Sequence, residues 1–116
     1  MLTTGDTVEC WGDNPYGQLG DGSNTDADSS QIVGLTNVTV LAAGAYHTCA
    51  VASGQLYCWG RNNTNQVGLA SGASFNTPQA ITGFSSVTQI AAGTNFTCVL
   101  SSGQVSCFGG NDFGQR

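Results

Sequence analysis

The chain contains no lysine and only two arginines, Arg61 and Arg116, against six aspartates and one glutamate, for a formal net charge of −5 over 116 residues. Phosphate recognition draws on clustered Lys and Arg, and attraction to an anionic bilayer needs the same groups. Neither nucleic acid nor a membrane surface is therefore an expected partner. No run carries apolar residues at helical spacing without a glycine interrupting it, which argues against helices. The longest apolar stretch, VTVLAAGA at 38–45, is far too short to span a bilayer. The N-terminus has neither the basic nor the apolar region of a signal peptide, so a secreted parent would have lost its signal or carry it upstream. Phosphate loops, paired-carboxylate motifs, nucleophile elbows and zinc signatures are missing as well. No cofactor is expected, and the chain does not read as an enzyme.

What is present is glycine, at 17 residues, a 40% hydrophobic content and much Ser, Thr and Asn. That mixture fits a folded chain of short strands joined by tight turns, in a length suited to one small domain with a core.

The chain also repeats itself. Cys49 and Cys98 are 49 residues apart, as are Cys58 and Cys107, while Cys10 precedes Cys58 by 48. AAGAYHTC at 42–49 returns as AAGTNFTC at 91–98, Trp11, Trp59 and Phe108 align, and YGQLG at 16–20 matches TNQVG at 64–68. The repeats divide the chain into a partial unit at 1–20 and two full units at 21–68 and 69–116. Each full unit reads as four strands, placed to within two or three residues at 30–34, 37–42, 46–52 and 55–60, and again at 78–82, 86–91, 95–101 and 104–109. Alternation and β-branching in VTQIAAG and FTCVLSS support this. Regular strands with a period in the forties indicate stacked sheets, most often the four-stranded antiparallel blades of a β-propeller.

These phrases resemble the repeat of the regulator of chromosome condensation family, whose members are β-propellers, usually seven-bladed. The family phrase A-A-G-x-x-H-T, a hairpin, then W-G-x-N-x-x-G-Q-L-G stands here as Ala42-Ala43-Gly44, His47-Thr48, Trp59-Gly60, Asn62 and Gln66-Val67-Gly68. Trp11-Gly12-Asp13-Asn14 with Gly17-Gln18-Leu19-Gly20 is a closer copy. The second repeat departs at Phe96, where the pattern has His, and at Phe108, where it has Trp. Cysteines in both hairpin strands are similar to those of bacterial secreted members. The resemblance implies an all-β scaffold. Relatives include a guanine-nucleotide exchange factor and an inhibitor of β-lactamases, but no residue set here matches either activity, and the repeat reports the scaffold alone.

A two-residue turn at Ser53-Gly54 sets Cys49 directly opposite Cys58 in a non-hydrogen-bonded pair, where Cα atoms approach to about 4.5 Å. A disulfide can bridge that gap. Ser102-Gly103 does the same for Cys98 and Cys107. Disulfides in an oxidising, secreted or cell-surface location are the expectation. The alternative is buried thiols or metal ligands, although C-x8-C fits no usual zinc pattern. The stapled hairpin is expected to form the outer strands of its blade. The same count leaves Cys10 opposite Met1, so Cys10 is expected to be unpaired. Two full repeats do not close a propeller, and the expectation is a fragment or a unit that assembles from several copies.

Candidate sites are few. His47 would need a nucleophile and an orienting acid to act as a base, and a hydrogen-bonded structural role is the expectation. Asp21, Asp26 and Asp28 lie in an oxygen-rich stretch, but their order does not match a calcium loop. Trp11, Trp59 and Phe108 recur at one phase and are expected to pack between blades. Loops are where a rigid scaffold binds, which singles out Asp13, Asn14 and Tyr16, then Arg61, Asn62 and Asn63, then Asn111, Asp112 and Phe113. Arg61 is the sole interior cation and a candidate anchor for an acidic partner. Asn37, Asn62 and Asn95 head glycosylation sequons. The expected function is non-catalytic recognition of a protein or surface through blade-edge loops. The alternatives are a self-assembling structural unit of surface-layer or filament type, with copies of itself as partners, and, further off, a piece of a hydrolytic enzyme.

Overall fold

The computed structural model describes residues 9–12, 27–31, 37–62, 66–67, 74–84, 86–94 and 96–109, with backbone alone for 9–12 and 27–31. Among them every regular element is a strand: β1 (Glu9–Gly12), β2 (Ala27–Gln31), β3 (Val38–Ala43), β4 (His47–Ala52), β5 (Gln55–Gly60), β6 (Phe75–Ala80), β7 (Val87–Ala92), β8 (Phe96–Ser101) and β9 (Gln104–Gly109). No helix of the described residues is long and apolar enough to cross a membrane.

The strands form three antiparallel sheets with orders β1-β2, β3-β4-β5-β6 and β7-β8-β9. The β4–β5 hairpin has the register its turn dictates, with Ala52 opposite Gln55 and Cys49 opposite Cys58. Ser53 (φ 50°) and Gly54 (φ 79°) both take positive φ, the signature of the hairpin turn whose twist matches its strands. Ser102 and Gly103 repeat it at 50° and 80°, and Cys98 falls opposite Cys107.

Strand positions agree with the sequence reading within its margin, but the hairpin's place does not. Instead of forming the outer strands, β4 and β5 are the two central strands of the four-stranded sheet. β6 takes the outer position by pairing with β5, setting Gln79 opposite Cys58. The strand that opens each sequence repeat thus completes the sheet of the repeat before it, as β2 also does by pairing with β1. The sheet is one strand out of phase with the sequence period, because adjacency in sequence reveals hairpins but not which chain segment reaches an open edge.

Period-two alternation gives each central strand two apolar faces. Ala50, Ala52 and Trp59 pack with Val38 on one face. Cys49, Val51, Leu56 and Cys58 point to the other and meet Val87 and Val99 of the next sheet, with Phe108 packed against them. Trp59 is completely buried, and Phe84 and Phe108 stack at 6.0 Å. Phe108 lies between the sheets, as the repeat implied, whereas the described neighbours of Trp59 are Val38, Ala50 and Ala52 of its own sheet; the side chain of Trp11 lies outside the described residues. Contact between β3 and β7 and between β4 and β7 brings the two sheets together at the edges formed by their first strands.

Candidate functional site

The junction between the sheets is built from repeat residues. Thr97 on β8 donates its hydroxyl hydrogen to the Gln66 carbonyl at 2.6 Å. Its oxygen is then free to accept from His47 on β4, 2.8 Å away. Because the hydroxyl proton is committed to a carbonyl, the proton between His47 and Thr97 belongs to His47 Nε2. All three residues are buried. This relay ties one sheet, the loop that leaves it and the following sheet together. His47 Nδ1 is buried without a hydrogen-bond partner. Burial lowers the His47 pKa from 6.5 to about 4, and the Phe96 backbone offsets only part of that drop. The ring is therefore neutral at pH 7 and occupied in packing.

Glycine sets the spacing beside it. The Gly44 N–H donates to the His47 carbonyl at 2.8 Å, and the Gly93 N–H to the Phe96 carbonyl at 2.9 Å. A Cβ at Gly44 would collide with the Gly93 carbonyl oxygen and lie 2.5 Å from His47 Cε1. The alanine-alanine-glycine phrase is thus the place where successive sheets touch backbone to backbone. Asn62 is fully buried, and its Oδ1 accepts from the Val67 N–H at 3.0 Å, which folds the loop after β5 back on itself.

The two disulfides lie in different surroundings. Cys49–Cys58 has Cα atoms 4.1 Å apart and is fully buried against the next sheet. Cys98–Cys107, at 4.0 Å, is only partly buried. Both approaches agree with the non-hydrogen-bonded register.

At one end of the four-stranded sheet, the 44–46 connection meets the start of the 61–74 connection. The Arg61 N–H donates to the Tyr46 carbonyl at 2.8 Å, and the Arg61 guanidinium sits over the Tyr46 ring, 5.5 Å from its centroid. Tyr46 is 39% exposed. At the opposite end Asn37, exposed and at φ 56°, accepts from the Ser53 N–H at 3.2 Å.

The regulator of chromosome condensation (RCC1) repeat matches residues 7–51 and 53–100, and a second model of that repeat matches 38–66 and 87–115. The chain belongs to the RCC1 repeat family. Human HERC4, a probable E3 ubiquitin-protein ligase, is 37% identical over 73 residues, 59% of this chain and 7% of HERC4. Human WBSCR16 superposes with a TM-score of 0.81 at 25% identity, over 93% of this chain and 29% of that one. Prp20p of Saccharomyces cerevisiae gives 0.79 at 27% identity, over 92% and 27%. The chain thus spans less than a third of each of these proteins.

In RCC1 terms, most of the recurring residues are seam. His47, Gly44, Thr97 and Gln66 join blades, and His47 has the structural placement the sequence indicated. Asn62, offered both as a loop contact and as a glycosylation site, is neither: its side chain is wholly enclosed and engaged by the Val67 amide. Arg61 is held against Tyr46 rather than extended into solvent. Asn37 stays exposed. Asp13, Asn14, Tyr16, Asn63, Asn95, Asn111, Asp112 and Phe113 lie outside the described residues, as do Asp21 and Asp26. Cys10 is placed by its backbone opposite Ser30, and the side chains of Cys10 and Asp28 are not described. No group of three or more His, Cys, Asp and Glu able to hold a metal occurs among the described residues. The bridge from Thr97 to Gln66 lies beyond the sequence reading, and its one signal in the sequence is the recurrence of these residues as Thr48 and as Gln18 and Gln115.

Proposed function

We propose that this chain is a non-catalytic protein-recognition module of the RCC1 type, working through the loops at its blade ends in an oxidising, extracellular location. The observation that carries the reading is the contrast between a seam that absorbs the recurring residues and an end surface, Tyr46 with Arg61, that does not recur. The single histidine supports the non-catalytic part: it is neutral, buried and committed to Thr97, where a general base must reach a substrate proton. Two disulfide-closed hairpins favour an oxidising compartment. The proteins with this fold include Prp20p, the yeast RCC1, described for its binding to Gsp1p and histones and, in a second structure, bound to Kap60. Recognition of proteins is what we carry over from them, and not those partners. The ligase activity named for HERC4 is not assigned to this chain.

The test is binding of the purified, oxidised chain to an array of proteins from its source, with amide hydrogen exchange locating the footprint. Saturable binding to few proteins, with protection at 44–46 and 61–62 or at 53–54 and 81–84, is the expected result. Turnover of a hydrolase substrate that His47→Ala abolishes would overturn it. Assembly of copies is the second reading. Light scattering separates the two: a monomer at working concentration removes the assembly reading.

A further inference from the structure

Three asparagines head glycosylation sequons, and the fold treats them differently. A linked oligosaccharide is bulky and belongs on the surface, so the acceptor nitrogen and the hydroxyl two residues on must both reach solvent. Asn62 fails this requirement, being fully buried with its Oδ1 engaged by the Val67 N–H. Asn95 lies outside the described residues. Asn37 meets it. Its side chain is exposed, as is that of Thr39, while Val38 between them is buried and anchors the segment.

The local backbone accounts for that exposure. Asn37 precedes β3 with φ 56°, a left-handed conformation that asparagine tolerates better than most residues. Its carbonyl accepts from the Ser53 N–H at 3.2 Å, which ties the segment to the hairpin turn. The pairing of β3 with β4 slips between Val38 and Val40, so Thr39 is the extra residue of a bulge. Asn37 Nδ2 donates to Ser53 Oγ at 3.4 Å. An amide nitrogen carries two hydrogens, so attaching a sugar leaves one for that contact. One period on, Ser86 takes the same turn at φ 52°, and a matching slip between Val87 and Gln89 follows it. The scaffold accepts serine at this position, so the asparagine answers to something other than the repeat.

Charge gives the modification a purpose. All seven carboxylates lie within 1–28 and at 112, and residues 29–111 hold one charged side chain, Arg61. A surface with so little charge depends on other groups for its hydration. Resting on the extracellular reading above, we propose that Asn37 is an N-glycan acceptor and that its glycan keeps the nearly uncharged sheets in solution. The transfer joins Asn37 Nδ2 to the anomeric carbon of an oligosaccharide carried on a lipid diphosphate. The bond from that carbon to the diphosphate oxygen breaks, the lipid diphosphate leaves with the electron pair, and Nδ2 gives up one proton.

For the test, the full chain is placed behind a cleavable secretion leader in a eukaryotic cell line that N-glycosylates its secreted proteins. Secreted and cell-retained material are both collected. Trypsin cuts after Arg61 and separates Asn37 from the other two sequons. Enzymatic glycan release in heavy-oxygen water turns a modified asparagine into a labelled aspartate, which mass spectrometry locates. Label at Asn37 and none at Asn62 is the expected result. Asn37→Ser and Thr39→Ala should each lose the glycan from the 1–61 peptide, and Asn37→Ser should melt as the wild type does. Removing the glycan should lower the protein concentration at which light scattering detects aggregation. Secreted chain with both disulfides formed and Asn37 unlabelled would overturn the site and leave the extracellular reading standing. Chain retained without its disulfides would overturn the extracellular reading; label at Asn37 on that material would uphold the site, and its absence would overturn both. Label at Asn62 in secreted chain would overturn the exposure argument, and equal solubility with and without the glycan would overturn its role.

Discussion

Lowering the pH from 7.5 to 5 should destabilise the chain through His47 alone, and the size of the effect follows from its burial. Burial takes the ring's pKa from 6.5 to about 4. Between those values the unfolded chain binds a proton that the folded chain refuses. Stability is therefore complete above pH 6.5 and falls as the pH drops toward 4, where the loss levels off. With 1.36 kcal/mol per pH unit of difference, the loss is about 2 kcal/mol at pH 5 and approaches about 3 kcal/mol at pH 4. A domain of this size has roughly 5–15 kcal/mol in total, so the midpoint of a urea titration should move visibly. Fluorescence of the buried Trp59 reports it. The informative quantity is the difference from His47→Phe, the side chain the second repeat already carries at Phe96, because any change common to both proteins cancels. Wild type should lose about 2 kcal/mol more than this variant between pH 7.5 and 5. Parallel profiles for the two proteins, or a wild type that gains stability on acidification, would refute the burial of a neutral ring at the seam.

Three further perturbations address the same seam and the staples. Thr97→Val removes the hydroxyl that joins His47 to the Gln66 carbonyl and should cost about 2–3 kcal/mol in urea titration, because buried partners are left unpaired, while Thr97→Ser should keep most of that stability. Gly44→Ala forces a methyl group onto the Gly93 carbonyl and the His47 ring, for an expected loss of about 1–3 kcal/mol and a lower melting temperature. Under mild reductant, stepwise alkylation followed by mass spectrometry should find Cys98 and Cys107 labelled before the fully enclosed Cys49 and Cys58. Removing either bridge should cost about 2.5–3 kcal/mol from loop entropy, with Cys49→Ala/Cys58→Ala costing more because it also empties space between the sheets.

Much of this was legible in the chain because hairpins are local. A two-residue turn with Ser-Gly at its centre fixes every pair up to Cys49 and Cys58 by counting, and the alternation of Trp59 with Cys58 assigns opposite faces. What counting could not reach was the partner of β5's far edge. β6 is separated from it by a long connection, and nothing in the letters of Phe75–Ala80 names the strand it joins. The hairpin was accordingly expected at the edge and lies at the centre. The side chain of Asn62 departs from its sequence reading for a related reason. A polar residue in a loop phrase reads as exposed, yet its side chain is the fold's own acceptor for the Val67 amide. The seam of Thr97 and Gln66 depends on two repeats meeting in space, which periodicity announces without saying which atoms touch. Arg61 follows the end of β5 in the sequence, but its seat on Tyr46 requires the end of one strand to return beside the start of another.

All of this rests on each hairpin closing on itself, with Cys49 joined to Cys58 and Cys98 to Cys107. Trypsin tests that pairing with one cut, because Arg61 is the only internal basic residue of the chain. The protein is denatured without reductant, its free thiols are blocked, and it is digested and weighed. Residues 1–61 and 62–116 should separate as two unlinked peptides, each lighter by the two hydrogens of one disulfide. Halves that stay joined until reductant is added would mean that cysteines pair across the repeats, and the stacked, self-stapled blades would be wrong.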